Sequence, residues 1–316
     1  MEKSPLLMAV EFDGSIKTGN LETALDGRKV ISLSENSSIS LEEIKYALVW
    51  KPDSELFNRL PALEVIFSAG AGVDHIFQAG KLPDIPIVRF VDHSLTTQMS
   101  EWVCLQCLMH LRRQRDYDKL QRAHDWKDLP QPKAAEITVG IMGLGELGKD
   151  AAQKLNALGF KVTGWSRSKK AIENVECYDN DELDTFLART DILVGLLPFT
   201  PQTKGIYNRA IFEKLNRNNQ FDGPVFINAG RGGSHVETDI VACLRDNTLS
   251  AVSLDVFEIE PLPENSPLWD FENAILTPHS AAVTDINAMG KHLARQLERY
   301  ETGVALEHVV DRAIGY

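Results

Sequence analysis

The sequence predicts an α/β protein with two domains, each built on a parallel β-sheet that is covered by helices on both faces. The chain has 316 residues, which is about twice the length of a typical domain. Short apolar strands alternate with helical segments along almost all of it, as in sheets whose parallel strands are joined by helical crossovers. A loop rich in proline and charge, Asp125–Glu136, separates two such series.

The first series precedes this loop and is the smaller of the two. Its predicted strands are Pro5–Val10, Ala47–Trp50, Glu64–Ala69 and Pro86–Phe90, and its predicted helices are Leu41–Tyr46 and Ser54–Leu60. A longer helix is predicted over Thr96–Arg122, where apolar residues lie on more than one face. Together these segments predict a small α/β unit.

The second series begins directly after the loop. Its predicted strands are Ile137–Met142, Lys161–Trp165, Ile192–Leu197, Val225–Asn228, Ser250–Asp255 and Ala274–Leu276, and its predicted helices are Glu146–Leu158, Asp181–Ala188 and Arg209–Leu215. Because these strands are apolar on both faces, we expect a parallel sheet buried on both sides. The helical segment Asp285–Thr302 that follows either completes this unit or returns to the first.

The charge balance excludes several classes of partner. Lys and Arg total 33 against 45 for Asp and Glu, which gives a formal net charge of −12, so we expect neither nucleic acid nor an anionic membrane as partner. No apolar run approaches the length of a membrane-spanning helix. The first residues lack the apolar core and the cleavage site of a signal peptide, and we therefore expect a cytoplasmic protein.

Two of the four cysteines, Cys104 and Cys107, form a C-x-x-C pattern. A structural zinc site would need a second pair of ligands nearby, and the sequence offers none, so we expect no metal. A redox pair is the second interpretation of this pattern. Because the two cysteines lie within an apolar helical stretch and share one face, we favour a place in the core.

The strongest local motif is the glycine pattern G-x-G-x-x-G over residues 143–148, which directly follows a predicted strand and opens a helix. The first glycine permits a tight turn, the second lets the backbone approach a pyrophosphate, and the third packs the helix on the strand. The helix N-terminus offers free N–H groups to the phosphates. The motif predicts dinucleotide binding by six residues: Gly143, Leu144, Gly145, Glu146, Leu147 and Gly148.

The end of the next strand discriminates between the two nicotinamide cofactors. A site for NAD usually places a carboxylate there to bind the ribose 2′-hydroxyl, whereas this chain has Ser166, Arg167 and Ser168, followed by two lysines. A guanidinium and serine hydroxyls suit a dianionic 2′-phosphate. The turn therefore predicts a preference for NADPH, with NADH as the second cofactor, while a solvated basic turn is the alternative.

Three further polar residues follow predicted strands of the same sheet: Arg231, Glu260 and His279. Ligands of open α/β sheets bind outside the carboxyl ends of the strands, so these residues can converge near the nicotinamide. Reduction of a 2-oxo acid requires such a set, because an arginine binds the carboxylate and polarises the carbonyl, and a histidine oriented by a carboxylate supplies the proton. Taken singly, each residue also suits an ordinary loop or turn.

In the first unit, a glycine-rich turn at residues 68–74 follows the strand that begins at Glu64. Successive backbone N–H groups in such a turn can bind an anion. A tight turn that binds no ligand is an equally good interpretation of this segment alone.

Taken in order, the motifs at residues 68–74, 143–148, 228–231, 255–261 and 277–279 resemble those of the D-isomer-specific 2-hydroxyacid dehydrogenase family. The resemblance covers nearly the whole chain. Within the family, the segments around Trp50, 165–168, 196–203 and 310–316 resemble the glyoxylate/hydroxypyruvate reductase A group, which reduces glyoxylate to glycolate and hydroxypyruvate to D-glycerate and prefers NADPH.

This resemblance implies a Rossmann-type cofactor domain and a flavodoxin-like substrate domain, both doubly wound, with a cleft between them. It places residues 99–284 in the cofactor domain and residues 1–98 with 285–316 in the substrate domain, and it implies a homodimer formed through the long helix. It also implies roles for single residues: Arg231 and His279 as the catalytic pair with Glu260 as partner of the histidine; Pro198, Thr203, Asp255 and Ala281 lining the cofactor; and Trp50, Ala71 and Gly72 with Arg231 binding the substrate.

One departure from the family pattern concerns the residues after Arg231. Many family members have an aliphatic residue after the Arg-Gly pair, whereas this chain continues with Gly233. We expect two successive glycines, Gly232 and Gly233, to make the loop more flexible.

The main hypothesis is an NADPH-dependent reductase of small 2-oxo acids. Two alternatives stay open: the same chemistry on a larger or phosphorylated 2-oxo acid, and a non-catalytic nicotinamide-sensing protein that acts through partners.

Overall fold

The computed structural model describes residues 3–10, 18–33 and 40–316. The chain divides into two compact units, an outer unit made of residues up to Leu95 together with Thr284–Tyr316, and an inner unit, Thr96–Val283. The sequence predicted divisions after residues 98 and 284, and the assignment of the outer unit to substrate binding stays a prediction.

The strands of the described residues alternate with helices along the chain. The strands are β1 (Leu6–Val10), β2 (Val30–Ser32), β3 (Tyr46–Trp50), β4 (Val65–Ser68), β5 (Ile87–Val88), β6 (Thr138–Met142), β7 (Lys161–Trp165), β8 (Glu176–Tyr178), β9 (Ile192–Gly195), β10 (Val225–Asn228), β11 (Ala251–Leu254) and β12 (Ala274–Leu276). The α-helices are α1 (Thr18–Ala24), α2 (Asp74–Phe77), α3 (His93–Leu111), α4 (Gln114–Arg122), α5 (Glu146–Ala157), α6 (Leu183–Ala188), α7 (Arg209–Phe212), α8 (Glu237–Arg245) and α9 (Ile286–Glu301).

The outer unit is built on a sheet with the strand order β2-β1-β3-β4-β5 among the described residues. All its strand pairs are parallel. Its core includes Leu7, Val49 and Ile66, which are fully buried. The C-terminal helix α9 belongs to this unit and packs against α1, where a Cβ on Gly290 would overlap Ala24 Cβ.

The inner unit is built on a sheet with the order β12-β11-β10-β9-β6-β7-β8, again entirely parallel. The strand order reverses at the pair β6 and β9. In β9, Leu193 belongs to one hydrophobic cluster and its neighbours Ile192 and Val194 to another. Because successive side chains of a strand point to opposite faces, both faces of the sheet are covered. The predicted fold class, two doubly wound parallel-sheet domains, is confirmed.

Several predicted helices differ from the structure. The predicted helix Leu41–Tyr46 is only a 3-10 turn at Leu41–Glu43, because Tyr46 begins β3, and the predicted helix Ser54–Leu60 is a 3-10 turn at Phe57–Arg59. The predicted single helix Thr96–Arg122 is two helices, since Arg113 adopts a left-handed conformation with φ of 52° between α3 and α4. The elements that the sequence did not predict are α1, α2, α8, β2 and β8.

Cys104 and Cys107 lie on α3 as free thiols in the hydrophobic core of the inner unit. Burial raises the pKa of Cys104 to about 11 and that of Cys107 well above its usual value, which suppresses the thiolate that redox chemistry requires. Their place in the core follows the prediction. Among the described residues, no helix is both long and apolar enough to cross a bilayer.

Candidate active site

Most of the predicted site residues lie at one edge of the inner sheet. Because its strands are parallel, their carboxyl ends meet at the same edge. The glycine turn follows β6, the serine-arginine turn follows β7, Pro198 follows β9, Arg231 follows β10, and the segments that carry Glu260 and His279 follow β11 and β12. The topology therefore gathers residues that are up to 136 positions apart, from Gly143 to His279.

The glycine turn has the shape that a dinucleotide requires. Gly143 adopts φ of 110°, and a Cβ placed there would lie 2.5 Å from the carbonyl oxygen of Leu196. A Cβ on Gly148 would overlap the carbonyl oxygen of Gly143, whereas Gly145 has no other atom within 4 Å of its Cβ position. Helix α5 begins directly after Gly145, so the open Cβ position of Gly145 lies at the helix N-terminus, where a pyrophosphate could bind.

The three side chains within this motif have different surroundings. Leu144 is buried against Gly164 of β7, where a Cβ would lie 2.6 Å from Leu144 Cδ2. Leu147 packs against the core, and Glu146 is exposed in the first turn of α5. Of the three, Glu146 is the most open to solvent.

The turn after β7 is closed by hydrogen bonds of its first residue. Ser166 is buried, its N–H donates to the carbonyl of Tyr178 in β8, and its hydroxyl donates to the carbonyl of Ser168 over 2.8 Å. Arg167 and Ser168 are exposed. Lys169 forms an ion pair of 2.8 Å with Glu182, which reduces the positive charge that the sequence alone assigned to this turn.

Pro198 and Thr203 lie together in the segment that follows β9, at the reversal of strand order. The Thr203 hydroxyl donates to the Pro198 carbonyl over 2.6 Å and accepts from the Thr200 N–H over 2.8 Å. This side chain therefore fixes the turn at residues 198–203 beside the glycine motif.

Glu260 and His279 form the direct contact that the sequence predicted. His279 Nδ1 lies 2.9 Å from Glu260 Oε2, and Glu260 Oε1 accepts the N–H of Phe257 over 3.2 Å. Both side chains are partly exposed, at 37% for His279 and 26% for Glu260. Because Nδ1 is engaged by the carboxylate, Nε2 is the ring nitrogen that can exchange a proton with a ligand.

The backbone of His279 is held in an unusual conformation by Asp255. His279 has φ of 52°, and its N–H donates to the carbonyls of Asp255 and Thr277. The buried Asp255 carboxylate accepts from the Thr277 hydroxyl over 2.6 Å and from the N–H groups of Ser280 and Ala281 over 2.8 and 2.9 Å. Burial raises the pKa of Asp255. The family resemblance implied a cofactor role for Asp255 and Ala281, and their role in fixing this turn was not predicted.

Arg231 belongs to a loop that is closed by the buried Asn228. The Asn228 amide donates to the Arg231 carbonyl over 3.2 Å, and its oxygen accepts the Gly230 N–H over 3.0 Å. A Cβ on Gly232 would overlap the Phe257 carbonyl, and one on Gly233 would lie 2.7 Å from the Phe199 ring. Close packing explains both glycines, and the expected flexibility of the loop stays a prediction.

Two glutamates connect this loop to the segment that carries Glu260. The N–H of Glu237 donates to the Glu258 carboxylate, and the N–H of Glu258 donates to the Glu237 carboxylate, each over 2.7 Å. Together with the contact between Gly232 and Phe257, this reciprocal pair ties the Arg231 loop to the Glu260 segment. Nothing in the sequence predicts this pair, since Glu237 lies outside the family motifs and pairing between two like-charged side chains and backbone N–H groups leaves no pattern.

The predicted substrate residues of the outer unit also lie after strand ends. Trp50 ends β3, and the turn at residues 68–72 follows β4 with Ala71 and Gly72 partly buried. The Ser68 hydroxyl donates to the Gly72 carbonyl over 3.1 Å and accepts the Gly70 N–H over 3.3 Å. Within the described residues, no group of three or more His, Cys, Asp or Glu side chains is arranged to hold a metal ion.

Comparison with known proteins gives the same classification at three levels. Residues 104–281 match the family model of the D-isomer specific 2-hydroxyacid dehydrogenase NAD binding domain. The chain is 38% identical over 314 residues to the glyoxylate/hydroxypyruvate reductase A of Klebsiella pneumoniae (strain 342), covering 96% of this chain and 97% of that protein. The corresponding protein of Serratia proteamaculans is 38% identical over 278 residues, covering 86% and 87%.

Solved structures are similar over nearly the whole chain. An NADPH-dependent glyoxylate/hydroxypyruvate reductase from Sinorhizobium meliloti, in complex with NADP and sulfate, has a TM-score of 0.94 at 55% identity and covers 99% of this chain and 100% of that one. A probable 2-hydroxyacid dehydrogenase from Rhizobium etli, in complex with NADP, HEPES and L(+)-tartaric acid, has a TM-score of 0.93 at 54% identity with the same coverage. The strand order, the site geometry and these similarities agree, and the chain belongs to the D-isomer-specific 2-hydroxyacid dehydrogenase family.

Proposed function

We propose that this protein reduces glyoxylate to glycolate and hydroxypyruvate to D-glycerate, with NADPH as the preferred cofactor and NADH as the second. The observation that carries the proposal is the 2.9 Å contact between His279 and Glu260 at the carboxyl edge of a sheet that also carries the dinucleotide turn and Arg231. Relatives with this named activity align with the chain over nearly its full length. The cytoplasmic location stays a prediction.

In this proposal, the Arg231 guanidinium binds the substrate carboxylate and polarises the neighbouring carbonyl. When bound, the nicotinamide supplies the hydride that reduces the carbonyl carbon. His279 donates the proton from Nε2 to the carbonyl oxygen, so that a hydride and a proton together convert the oxo acid to the hydroxy acid. Glu260 holds the ring through Nδ1, so that Nε2 is the nitrogen presented to the carbonyl oxygen.

We assign the cofactor to the loops at this edge of the sheet. The backbone of Gly143–Gly148 and the start of α5 bind the pyrophosphate. The turn Ser166, Arg167 and Ser168 binds the 2′-phosphate, with the Ser166 hydroxyl holding the shape of the turn through the Ser168 carbonyl. Pro198, Thr203, Asp255 and Ala281 line the remainder of the cofactor. We assign Trp50 and the backbone of Ala71 and Gly72 to the substrate, with Arg231.

The substrate class is tested with a panel of 2-oxo acids under NADPH and NADH. We expect glyoxylate and hydroxypyruvate to be reduced with higher kcat/KM than branched or aromatic 2-oxo acids, since Trp50 crowds the side-chain end. Arg231→Lys should be poorly active, because an ammonium cannot form the bidentate fork to a carboxylate. Phenylpyruvate or a phosphorylated acid as the best substrate would contradict the assignment, and NADPH binding without turnover would favour a sensing protein.

The catalytic set is tested by His279→Ala. Turnover should fall about 10²- to 10⁴-fold, the range of general acid catalysis, while the Kd for NADPH measured by titration stays nearly unchanged. His124→Asn is the matched control, since His124 is exposed and asparagine tolerates its left-handed backbone, with φ of 54°. Near wild-type turnover of the His279 variant would show that another group donates the proton.

Glu260→Gln should lower kcat for glyoxylate and leave the Kd for NADPH nearly unchanged. A neutral amide holds His279 Nδ1 less strongly than a carboxylate does, because hydrogen bonds to charged groups contribute roughly 1.5–3 kcal/mol and neutral ones about 0.5–1.5 kcal/mol. The ring is then oriented less firmly for proton transfer, and we expect kcat to fall about tenfold. An unchanged kcat would mean that Glu260 does not act through His279.

Cofactor preference is tested by the double variant Ser166→Asp with Arg167→Ala. A carboxylate at position 166 repels the 2′-phosphate, and loss of the Arg167 guanidinium removes a charge-assisted hydrogen bond that contributes roughly 1.5–3 kcal/mol. The preference for NADPH over NADH should therefore fall by about ten- to a hundredfold. Lys169→Ala is the control, since its charge is already paired with Glu182. Higher kcat/KM of the wild type with NADH than with NADPH, in one buffer, would refute this assignment.

We further propose that the protein is a homodimer through the inner unit. Apolar residues lie on more than one face of helix α3, Leu105 on it is half exposed, and Trp126 in the loop after α4 is fully exposed. Sedimentation velocity should show a dimer, and Leu105→Glu with Trp126→Ser should shift it towards the monomer. Val304→Ser, an exposed apolar residue of the outer unit, is the control. A monomeric wild type at micromolar concentration would exclude the dimer.

A further inference from the structure

We propose that His75, a buried histidine of the outer unit, is a positioning residue that fixes both Trp50 and the turn at residues 68–72, and thereby restricts the enzyme to small 2-oxo acids. The inference rests on the proposed function, because it assigns a cause to the substrate preference stated there. His75 lies on α2 and is 6% exposed. It belongs to none of the family motifs from which the site was predicted.

The first contact of His75 is with the backbone that follows Trp50. Lys51 adopts φ of 47°, a left-handed conformation that is unfavourable for a long side chain. Its N–H donates to His75 Nδ1 over 3.1 Å. This hydrogen bond holds the chain in its turned conformation directly after β3, and the direction in which the strand ends depends on it.

This contact also determines which tautomer His75 adopts. Because Nδ1 accepts the Lys51 N–H, it carries no proton, and in the neutral ring the proton therefore resides on Nε2. Nε2 lies 3.3 Å from the Ser68 hydroxyl oxygen and can donate to it. The Ser68 hydroxyl in turn donates to the Gly72 carbonyl over 3.1 Å. One chain of hydrogen bonds thus runs from the Lys51 backbone to the Gly72 carbonyl.

The ring of His75 also touches the indole of Trp50. The two ring centroids are 4.4 Å apart and the rings are inclined by 52°. The indole lies against the bare Cα of Gly70 as well, since a Cβ there would be 2.6 Å from Trp50 Cζ3. Trp50 is thus in contact with the turn and with the histidine that orders the turn.

These contacts make one side chain responsible for two parts of the proposed substrate site. The turn at residues 68–72 presents the N–H groups proposed to bind the carboxylate, and Trp50 is proposed to limit the substrate side chain. Loss of His75 should relax both parts at once. We therefore expect weaker binding of small substrates and a smaller preference for them over large ones, with little effect on the chemical step at His279.

Two substitutions separate the ring contact from the hydrogen bonds. His75→Phe keeps a ring beside Trp50 and loses both hydrogen bonds, and Ser68→Ala breaks the chain while leaving His75 intact. For each variant we expect KM for glyoxylate to rise about five- to tenfold, an effect on substrate binding equal to about one net hydrogen bond. The kcat should stay within about threefold of the wild type, and KM for NADPH should not change. His75→Asn, which keeps an acceptor for the Lys51 N–H, should be closer to the wild type than His75→Phe.

The matched control is His292→Asn. His292 is also 6% exposed, belongs to the same unit, and its ring centroid is 5.3 Å from that of Phe90. This variant should lose thermal stability, as the His75 variants do. Its KM for glyoxylate should be that of the wild type, and so should its substrate ratio, which is kcat/KM for glyoxylate divided by kcat/KM for phenylpyruvate. A fall of that ratio in the His75 and Ser68 variants alone supports the positioning role.

Two failures can be told apart. An active wild type whose KM and substrate ratio do not change in His75→Phe and Ser68→Ala would overturn the role of His75 and leave the proposed function standing. A wild type that turns over no 2-oxo acid would overturn the proposed function and the specificity role with it. Crystal structures of the variants give an independent measure, since Trp50 and Gly72 at unchanged positions would overturn the positioning role whatever the kinetics.

Discussion

The arrangement of the inner site depends on the buried carboxylate of Asp255. This one side chain accepts hydrogen bonds from the Thr277 hydroxyl and from two backbone N–H groups, while its own carbonyl accepts the N–H of His279. A buried carboxylate with these donors is satisfied, and without them it would be costly to bury. The turn and the carboxylate therefore require each other, and the same turn carries the histidine that meets Glu260.

The parallel sheet explains why this turn and the other strand-end loops form one site. Each strand of the inner unit delivers its following loop to the same edge, and the order of strands reverses between β6 and β9, where doubly wound sheets bind their ligands. Gly143 and the Leu196 carbonyl meet at that reversal, which is why a side chain at position 143 would force two neighbouring strand ends apart. Further along the edge, Gly232 against Phe257 and the reciprocal pair Glu237 and Glu258 connect the loops that carry Arg231 and Glu260.

The sequence predicts those parts of this arrangement that are fixed by position along the chain. Gly143, Arg231 and His279 each follow an apolar strand by at most three residues, so the strand pattern alone places them at the carboxyl edge. The break between α3 and α4 at Arg113 was not predicted, because a single left-handed residue does not change the periodicity of apolar residues. The role of Asp255 was not predicted either, because the sequence does not show which N–H groups a buried carboxylate accepts. The packing role of Gly232 was not predicted for a related reason: a glycine needed for close packing and a glycine that confers flexibility look alike in one sequence.

In both units, a residue shortly after the end of a strand has a positive φ and a backbone N–H that is held by a buried group: Lys51 in the outer unit and His279 in the inner unit. Each is a non-glycine residue with a positive φ, 47° and 52°, in a conformation that costs on the order of 1–3 kcal/mol. In each, the N–H is held by a buried residue from another element, His75 Nδ1 for Lys51 and the Asp255 carbonyl for His279. Glycine would adopt these conformations without strain but would leave the backbone free to move. A strained residue with a fixed N–H holds the backbone in one orientation, which in turn orients the side chain proposed to meet the ligand, Trp50 beside Lys51 in one unit and His279 itself in the other.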